Sequence, residues 1–253
     1  MRIFIDIGGH KGHSVLAALD PIFSFDKIYS FEPNANLAAE IRKIKDPRLT
    51  VICAGLGDRF EKAILYRSGT LSGSFFQDGP EFGGTGRQEV ATVLKSGEIL
   101  PALIPSGSFV RIKLNCEGAE IAILQNLIDL GCADLAMWAL IDFDAEKIPS
   151  LKGKAATIEQ ALRSLGISWL VPSECQRGMI TNYGGVRNYL FRAGAGRPGW
   201  GRLIRSLVYN ARMSINSEVN GYHKMKVMNA VPGLRRIVSI WKRGDHRCPQ
   251  SRY

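Results

Sequence analysis

The chain of 253 residues has no apolar run that could cross a bilayer. Stretches such as LAMWALI at 135–141 fall far short of the roughly 20 residues a spanning helix needs. Its five cysteines (Cys53, Cys116, Cys132, Cys175, Cys248) are odd in number and scattered, with no C-x-x-C pair, which fits reduced thiols in a cytoplasmic protein. A strand is expected from Arg2 onward, and with it no signal peptide, whose charged region, apolar core and cleavage site are not expected before that strand. The dinucleotide fingerprint G-x-G-x-x-G is missing as well. Acids are nearly missing from the last 57 residues, which hold 12 Lys/Arg against Glu218 and Asp245. Residues 1–196 hold 21 of each sign, so the whole net charge of +10 sits on the C-terminal part. The break GAGRPGWG divides a neutral domain, 1–196, from a basic extension, 197–253.

The first two thirds alternate short apolar runs with helical stretches. RIFIDI, KIYSFEP, LTVICAGLG, FVRIKLN and LAMWALIDF are expected strands; 14–19, 35–44, 117–131 and 158–165 are expected helices. RFEKAILYRS is expected to pair as an extra strand, and the glycine-rich 69–88 to form a loop over the site. The domain is expected to close on an antiparallel pair, SWLVPS and RNYLFRA, around an NYGG loop. Repeated βα units predict an α/β fold, a mostly parallel sheet with helices on both faces.

Ligands of such sheets bind beyond the carboxyl ends of the strands. DIGGHKGHS lies there after the first strand: Gly8 permits a tight turn or close ligand approach, and Gly12 lets the next helix pack near the strand. That helix's N-terminus offers backbone N–H groups to an anionic group. Glu32 ends the second strand, twenty residues after Gly12, where an acid can accept hydrogen bonds from both hydroxyls of an adenosine ribose. The competing reading is a plain turn followed by a solvated carboxylate. Asp6 would repel a pyrophosphate but attract the cationic amino-acid part of S-adenosylmethionine (SAM), so charge favours SAM over NAD.

Four segments taken in order, FIDIGGHKGHS, IYSFEPNA, GLGD and VRIKLNCEGAEIAILQNL, resemble the FkbM-like SAM-dependent methyltransferases over residues 2–192. The resemblance implies a class I methyltransferase (Rossmann-like) fold with a seven-stranded sheet whose last strand is antiparallel. It implies SAM as cofactor and O-methylation of a hydroxyl on a sugar, in a glycoconjugate or lipid-linked glycan. The alternatives are a lipid or small natural product as acceptor, or a SAM-binding module without catalysis. By position, Asp6, Gly8, Gly9 and Gly12 would line the methionine part of SAM, Glu32 would hold the ribose, and Asp58 would lie near the adenine. Lys113, Asn115, Glu117 and Glu120 would sit near the transferred methyl. Members carry Asp where this chain has Asn115.

Glu117 is the first candidate for a base that takes the acceptor's proton, with His10 and His13 behind it. Lys113 either biases the site electrostatically or forms a salt bridge to Glu117 or Glu120. Glu120 is a second site carboxylate or a charge favoured at a helix N-terminus. Ser74, Asp142 and Asp144 are further candidates beside the acceptor. Two histidines without a third ligand predict no metal.

Arg202, Arg205 and Arg212 flank Leu203, Ile204, Leu207 and Val208 on one helical face, and 232–243 repeats the style. The extension therefore suits an anionic membrane surface, with a cytoplasmic protein peripheral at its inner face. The competing arrangement packs the apolar face on the domain or on a second subunit. Nucleic acid is a weaker partner, since no recognition module surrounds the charge.

Overall fold

The computed structural model describes residues 1–80, 86–175, 183–197 and 199–215. In chain order it has β1 (Arg2–Ile7), α1 (His13–Ala18), β2 (Lys27–Phe31), α2 (Ala35–Arg42), β3 (Leu49–Ile52) and β4 (Gly55–Gly57). There follow β5 (Glu61–Ser68), β6 (Arg87–Lys95), α3 (Ser96–Ala102), β7 (Phe109–Leu114), α4 (Glu120–Asp129) and β8 (Leu140–Ile141). The last elements are α5 (Lys154–Ser164), α6 (Pro172–Cys175), α7 (Tyr183–Arg192) and α8 (Trp200–Ile215).

The main sheet has the order β3-β2-β1-β7-β8, with every pairing parallel. β1 is central and buried along its whole length, as a strand covered on both faces must be. Ile3, Ile5 and Ile7 share a core with Leu124 and Leu127 of α4 and with Ile158 and Leu162 of α5. Phe4 points the other way, to Phe25, and Phe23 meets Phe191 of α7 edge-on at 4.9 Å. This order is compatible with a Rossmann-like fold. The chain runs outward from β1 to β3 and returns to the other side of β1 as β7, so the topological switch point lies between β1 and β7.

Among the described residues five strands make the main sheet, and the only antiparallel strand pairing, β5 with β6, belongs to a second sheet of order β4-β6-β5. Two expectations are corrected. LTVICAGLG is not one strand; Cys53 and Ala54 carry the chain from β3 in one sheet to β4 in the other. RNYLFRA is the second half of helix α7, where Val186, Tyr189, Leu190 and Ala193 are buried at helical spacing. The Tyr189 hydroxyl lies within hydrogen-bonding distance of the carbonyls of Ile112 (2.8 Å) and Trp138 (3.0 Å), tying α7 to the sheet.

The chain divides into two compact units, Met1–Leu19 with Phe23–Arg197, and Asp20–Ile22 with the chain from Pro198 onward. The second basic amphipathic segment, 232–243, and Cys248 lie outside the described residues. Among the described residues no helix is long and apolar enough to cross a membrane.

Candidate functional site

The carboxyl ends of β1 and β7 come so close that only glycine fits between them. Gly8 has φ +84°, and a Cβ there would stand 1.9 Å from the Asn115 carbonyl oxygen. Four backbone N–H groups of this loop and its start have protein acceptors. Gly8 and Gly9 both donate N–H to the Phe31 carbonyl (3.0 Å each), and Gly12 donates to Gly9 (2.8 Å). His10 N–H donates to Glu32 Oε2 (2.7 Å), and Asn34 N–H donates to Glu32 Oε1 (2.9 Å). Glu32 is thus buried at the end of β2 with each oxygen taking one backbone donor, while a carboxylate has about four acceptor sites. Burial pushes its pKa up from the ordinary 4.5, against the two N–H donors.

Beneath the loop lies an ion pair set by strand register. Asp6 on β1 and Lys113 on β7 are directly opposed, so both side chains leave the sheet on the same face. Lys113 Nζ is 3.2 Å from Asp6 Oδ1 and donates to the Gly8 carbonyl at 2.6 Å; the two side chains are 2% and 0% exposed. Burial pushes the Asp6 carboxyl up, opposed by the Lys113 ammonium. Lys113 therefore pairs with Asp6 rather than with Glu117 or Glu120, and Asp6 does not line the cleft. The charge argument that set Asp6 against a pyrophosphate loses its basis, since that charge is compensated inside the protein.

A cleft with about 790 Å³ of atom-free space, partly open to solvent, lies over the switch point. Its polar lining includes His10, Glu32, Asn34, Asn115 and Glu117; Leu37, Leu56, Leu71 and Phe75 are among its apolar walls. Gly8 lines it directly. Gly9 and His13 line a separate small crevice at the start of α1, and Gly12 packs on Ile41 and Ile44 instead. Asp58 is exposed, pairs with Arg59 and lies outside the cleft lining.

At the end of β7 the chain turns sharply. Glu117 (φ +52°) and Gly118 (φ +102°) are both left-handed, and a Cβ on Gly118 would stand 2.4 Å from Ile148 Cδ1. This turn brings Glu117 to the cleft. Burial, reinforced by Asp144, pushes Glu117 up to about 8. Glu120, on the first turn of α4, is pushed by burial to about 7, although it accepts N–H from Gly118 and Ala145 (2.8 Å each). Its oxygens are spent on backbone, which makes it a structural carboxylate rather than a second cleft acid. Burial lowers His10 to about 4, so its imidazole is neutral at pH 7 and a weak base.

Asn115 Nδ2 donates to Asp142 Oδ2 at 2.9 Å. An aspartate at 115 would face that carboxylate as a like charge, so Asn is the compatible partner here. Asp144 is buried and paired with Lys147. Ser74 is buried too: its hydroxyl donates to the Glu117 carbonyl (2.6 Å), stapling the loop over the cleft to the β7 turn. Among the described residues no three His, Cys, Asp or Glu side chains are grouped to hold a metal.

The sequence carried no signal for Arg67. It is buried with φ +50° and donates to the carbonyls of Ser72 (3.2 Å), Phe76 (2.6 Å) and Gln77 (2.9 Å), forming the internal post of the loop that brings Leu71 and Phe75 over the cleft. Asn34 stands directly before Ala35 as the N-cap of α2, a residue type favoured at that place. It accepts from Leu37 N–H (2.8 Å) and donates to Ser68 and Glu89, joining α2 to the second sheet.

No family model, curated protein or solved structure matches this chain.

Proposed function

We propose that the cleft binds SAM and that the protein is an O-methyltransferase of a hydroxyl-bearing acceptor, a sugar in the first instance. The observation that carries this reading is the pairing of Glu32 with the glycine loop. The N–H groups of Gly8, Gly9, His10 and Gly12 are all taken by protein acceptors, so those positions do not form the cradle a pyrophosphate needs. Glu32 instead presents a carboxylate with acceptor sites to spare, beside apolar walls suited to a flat base. A nucleoside with a ribose diol and no phosphate suits that donor and acceptor set. The four-segment resemblance points to the same ligand and to a class I methyltransferase fold.

On this reading Glu32 would hold the ribose hydroxyls, and Leu37, Leu56 and Phe75 would enclose the adenine. SAM supplies an electrophilic methyl group on a sulfonium. The chain's own contribution is alignment of the acceptor oxygen and removal of its proton. Glu117 lines the cleft and is the residue placed to receive that proton. Lys113 does not reach the cleft; it holds the Gly8 carbonyl and so positions the loop. His10, neutral at pH 7, contributes a hydrogen bond rather than a base.

Incubating the protein with methyl-labelled SAM and fractionated cell extract tests the reading. Label entering a saccharide fraction is the expected result; confirmed SAM binding with no label in any fraction would favour a non-catalytic module. A Glu117→Gln variant should keep SAM affinity and lose turnover by about a hundredfold or more. The pH profile carries the sign. The base works deprotonated, so the parent's turnover should rise with pH through about 8 and then level, and the variant should lack that rise. Turnover equal to the parent's would eliminate Glu117 as the base. Folding moves the opposite way: with folded pKa values raised to about 8 and 7, neutral Glu117 and Glu120 contribute stability below the ordinary 4.5 that is lost as pH rises through those values.

A further inference from the structure

The first turns of helix α8 expose large apolar side chains, while Leu207 and Val208 further along are half-buried. An amphipathic helix ordinarily covers its apolar stripe. In α8 the buried positions include Ser206, 2% exposed, and Ala211. Asn210, one turn beyond Ser206, donates to Asp20 Oδ2 at 2.9 Å and to the Ser206 carbonyl at 2.7 Å, so the polar face is turned to Asp20 within the same unit. The exposed positions include Trp200 (83%), Leu203 (43%) and Ile204 (59%). Their i, i+3, i+4 spacing places them together on one side of the first turns, with Arg205 exposed beside them.

Charge decides what covers this face. Residues 197–253 carry 12 Lys/Arg and two acids, against a balanced 21 and 21 in the rest of the chain. A second copy would bring the same excess of positive charge to the contact, which opposes self-association. A nucleic acid would satisfy the cations but leave Leu203 and Ile204 without a partner. An anionic bilayer satisfies both: tryptophan and aliphatic side chains enter the boundary between headgroups and acyl chains, and Lys/Arg meet the headgroups. We propose that the exposed Trp200–Leu203–Ile204 face of α8 seats the protein on an anionic lipid surface. This rests on α8 and the charge of its segment, independently of what the cleft binds.

The test uses the full chain and vesicles of phosphatidylcholine with or without phosphatidylglycerol, read by co-sedimentation. The expected result is binding that requires phosphatidylglycerol and weakens by about tenfold or more when Trp200, Leu203 and Ile204 are together changed to serine. Binding unchanged in that variant would mean that charge alone holds the protein and would overturn the role of the face. So would a parent that ignores phosphatidylglycerol vesicles, whether because it retains RNA instead or because it is a dimer that the triple variant dissolves. If the triple variant does not fold, brominated phosphatidylglycerol gives a second reading. It should quench parent fluorescence more than that of Trp200→Phe, and equal quenching would place Trp200 outside the lipid and sink the proposal.

Discussion

Replacing Glu32 with alanine should weaken SAM binding by on the order of a hundredfold or more. On the proposed reading the carboxylate is the charged acceptor for the ribose, and each hydrogen bond to a charged group is worth about 1.5–3 kcal/mol. Two ribose hydroxyls therefore bring the loss to this range even after discounting for solvent access at the cleft mouth. The same substitution strips acceptors from the N–H groups of His10 and Asn34, so some loss of stability accompanies it. Glu32→Gln separates the two effects, since its amide oxygen can still accept one N–H but carries no charge. Calorimetric titration of SAM into each folded variant measures the outcome. The pH dependence follows from the raised pKa: the ionised acceptor is lost as pH falls, so affinity should weaken on acidification, starting above the ordinary 4.5 of a glutamate. Alanine and parent binding SAM equally would show that the ribose is held elsewhere and would remove the main support for a SAM site.

The second large effect is on stability. Lys113→Met removes one partner of an ion pair whose side chains are almost wholly buried, and leaves Asp6 Oδ1 without its cation. Breaking such a pair from one side typically costs about 3–5 kcal/mol, a large part of a domain's total stability. Urea unfolding should show the loss at neutral pH. The Asp6→Asn/Lys113→Met double variant should recover much of it, because no uncompensated charge is then buried. The sign with pH is fixed as well. Without Lys113 the folded-state pKa of Asp6 rises further above its unfolded value of about 3.8, so the neutral carboxyl's stability is present below that value and lost as pH rises. The single variant should therefore lie closest to the parent in acid. A single variant as stable as the parent at pH 7 would show that the pair contributes nothing. SAM affinity should fall too, since Lys113 Nζ no longer holds the Gly8 carbonyl.

Several features of the site were legible because they are local. Gly8 marks a place where the backbone must be left-handed and where a neighbouring atom leaves no room for a Cβ. Glu32 was legible from its place at the end of an apolar run, one βα unit after the glycine loop. The misreading of α7 had a local cause as well. Tyr189–Phe191 is a short apolar and aromatic run that fits a strand, and the helical period appears only when Val186 and Ala193 are counted with it.

The sequence by itself determined the α/β class, the first strand, the glycine turn and strand-end acid, and a basic C-terminal segment. These depend on side-chain periodicity, on backbone conformations that few residues other than glycine adopt readily, and on summed charge, all of which are properties of neighbouring residues. Only the tertiary structure decided that Lys113 meets Asp6, that Asn115 meets Asp142, that Arg67 holds the loop over the cleft, and that Trp200, Leu203 and Ile204 of α8 are exposed. The first two contacts join residues 107 and 27 positions apart, and they exist because parallel strands lie in one register rather than another. A shift of a single residue would have sent Lys113 to the opposite face of the sheet, with the same sequence on either side of it.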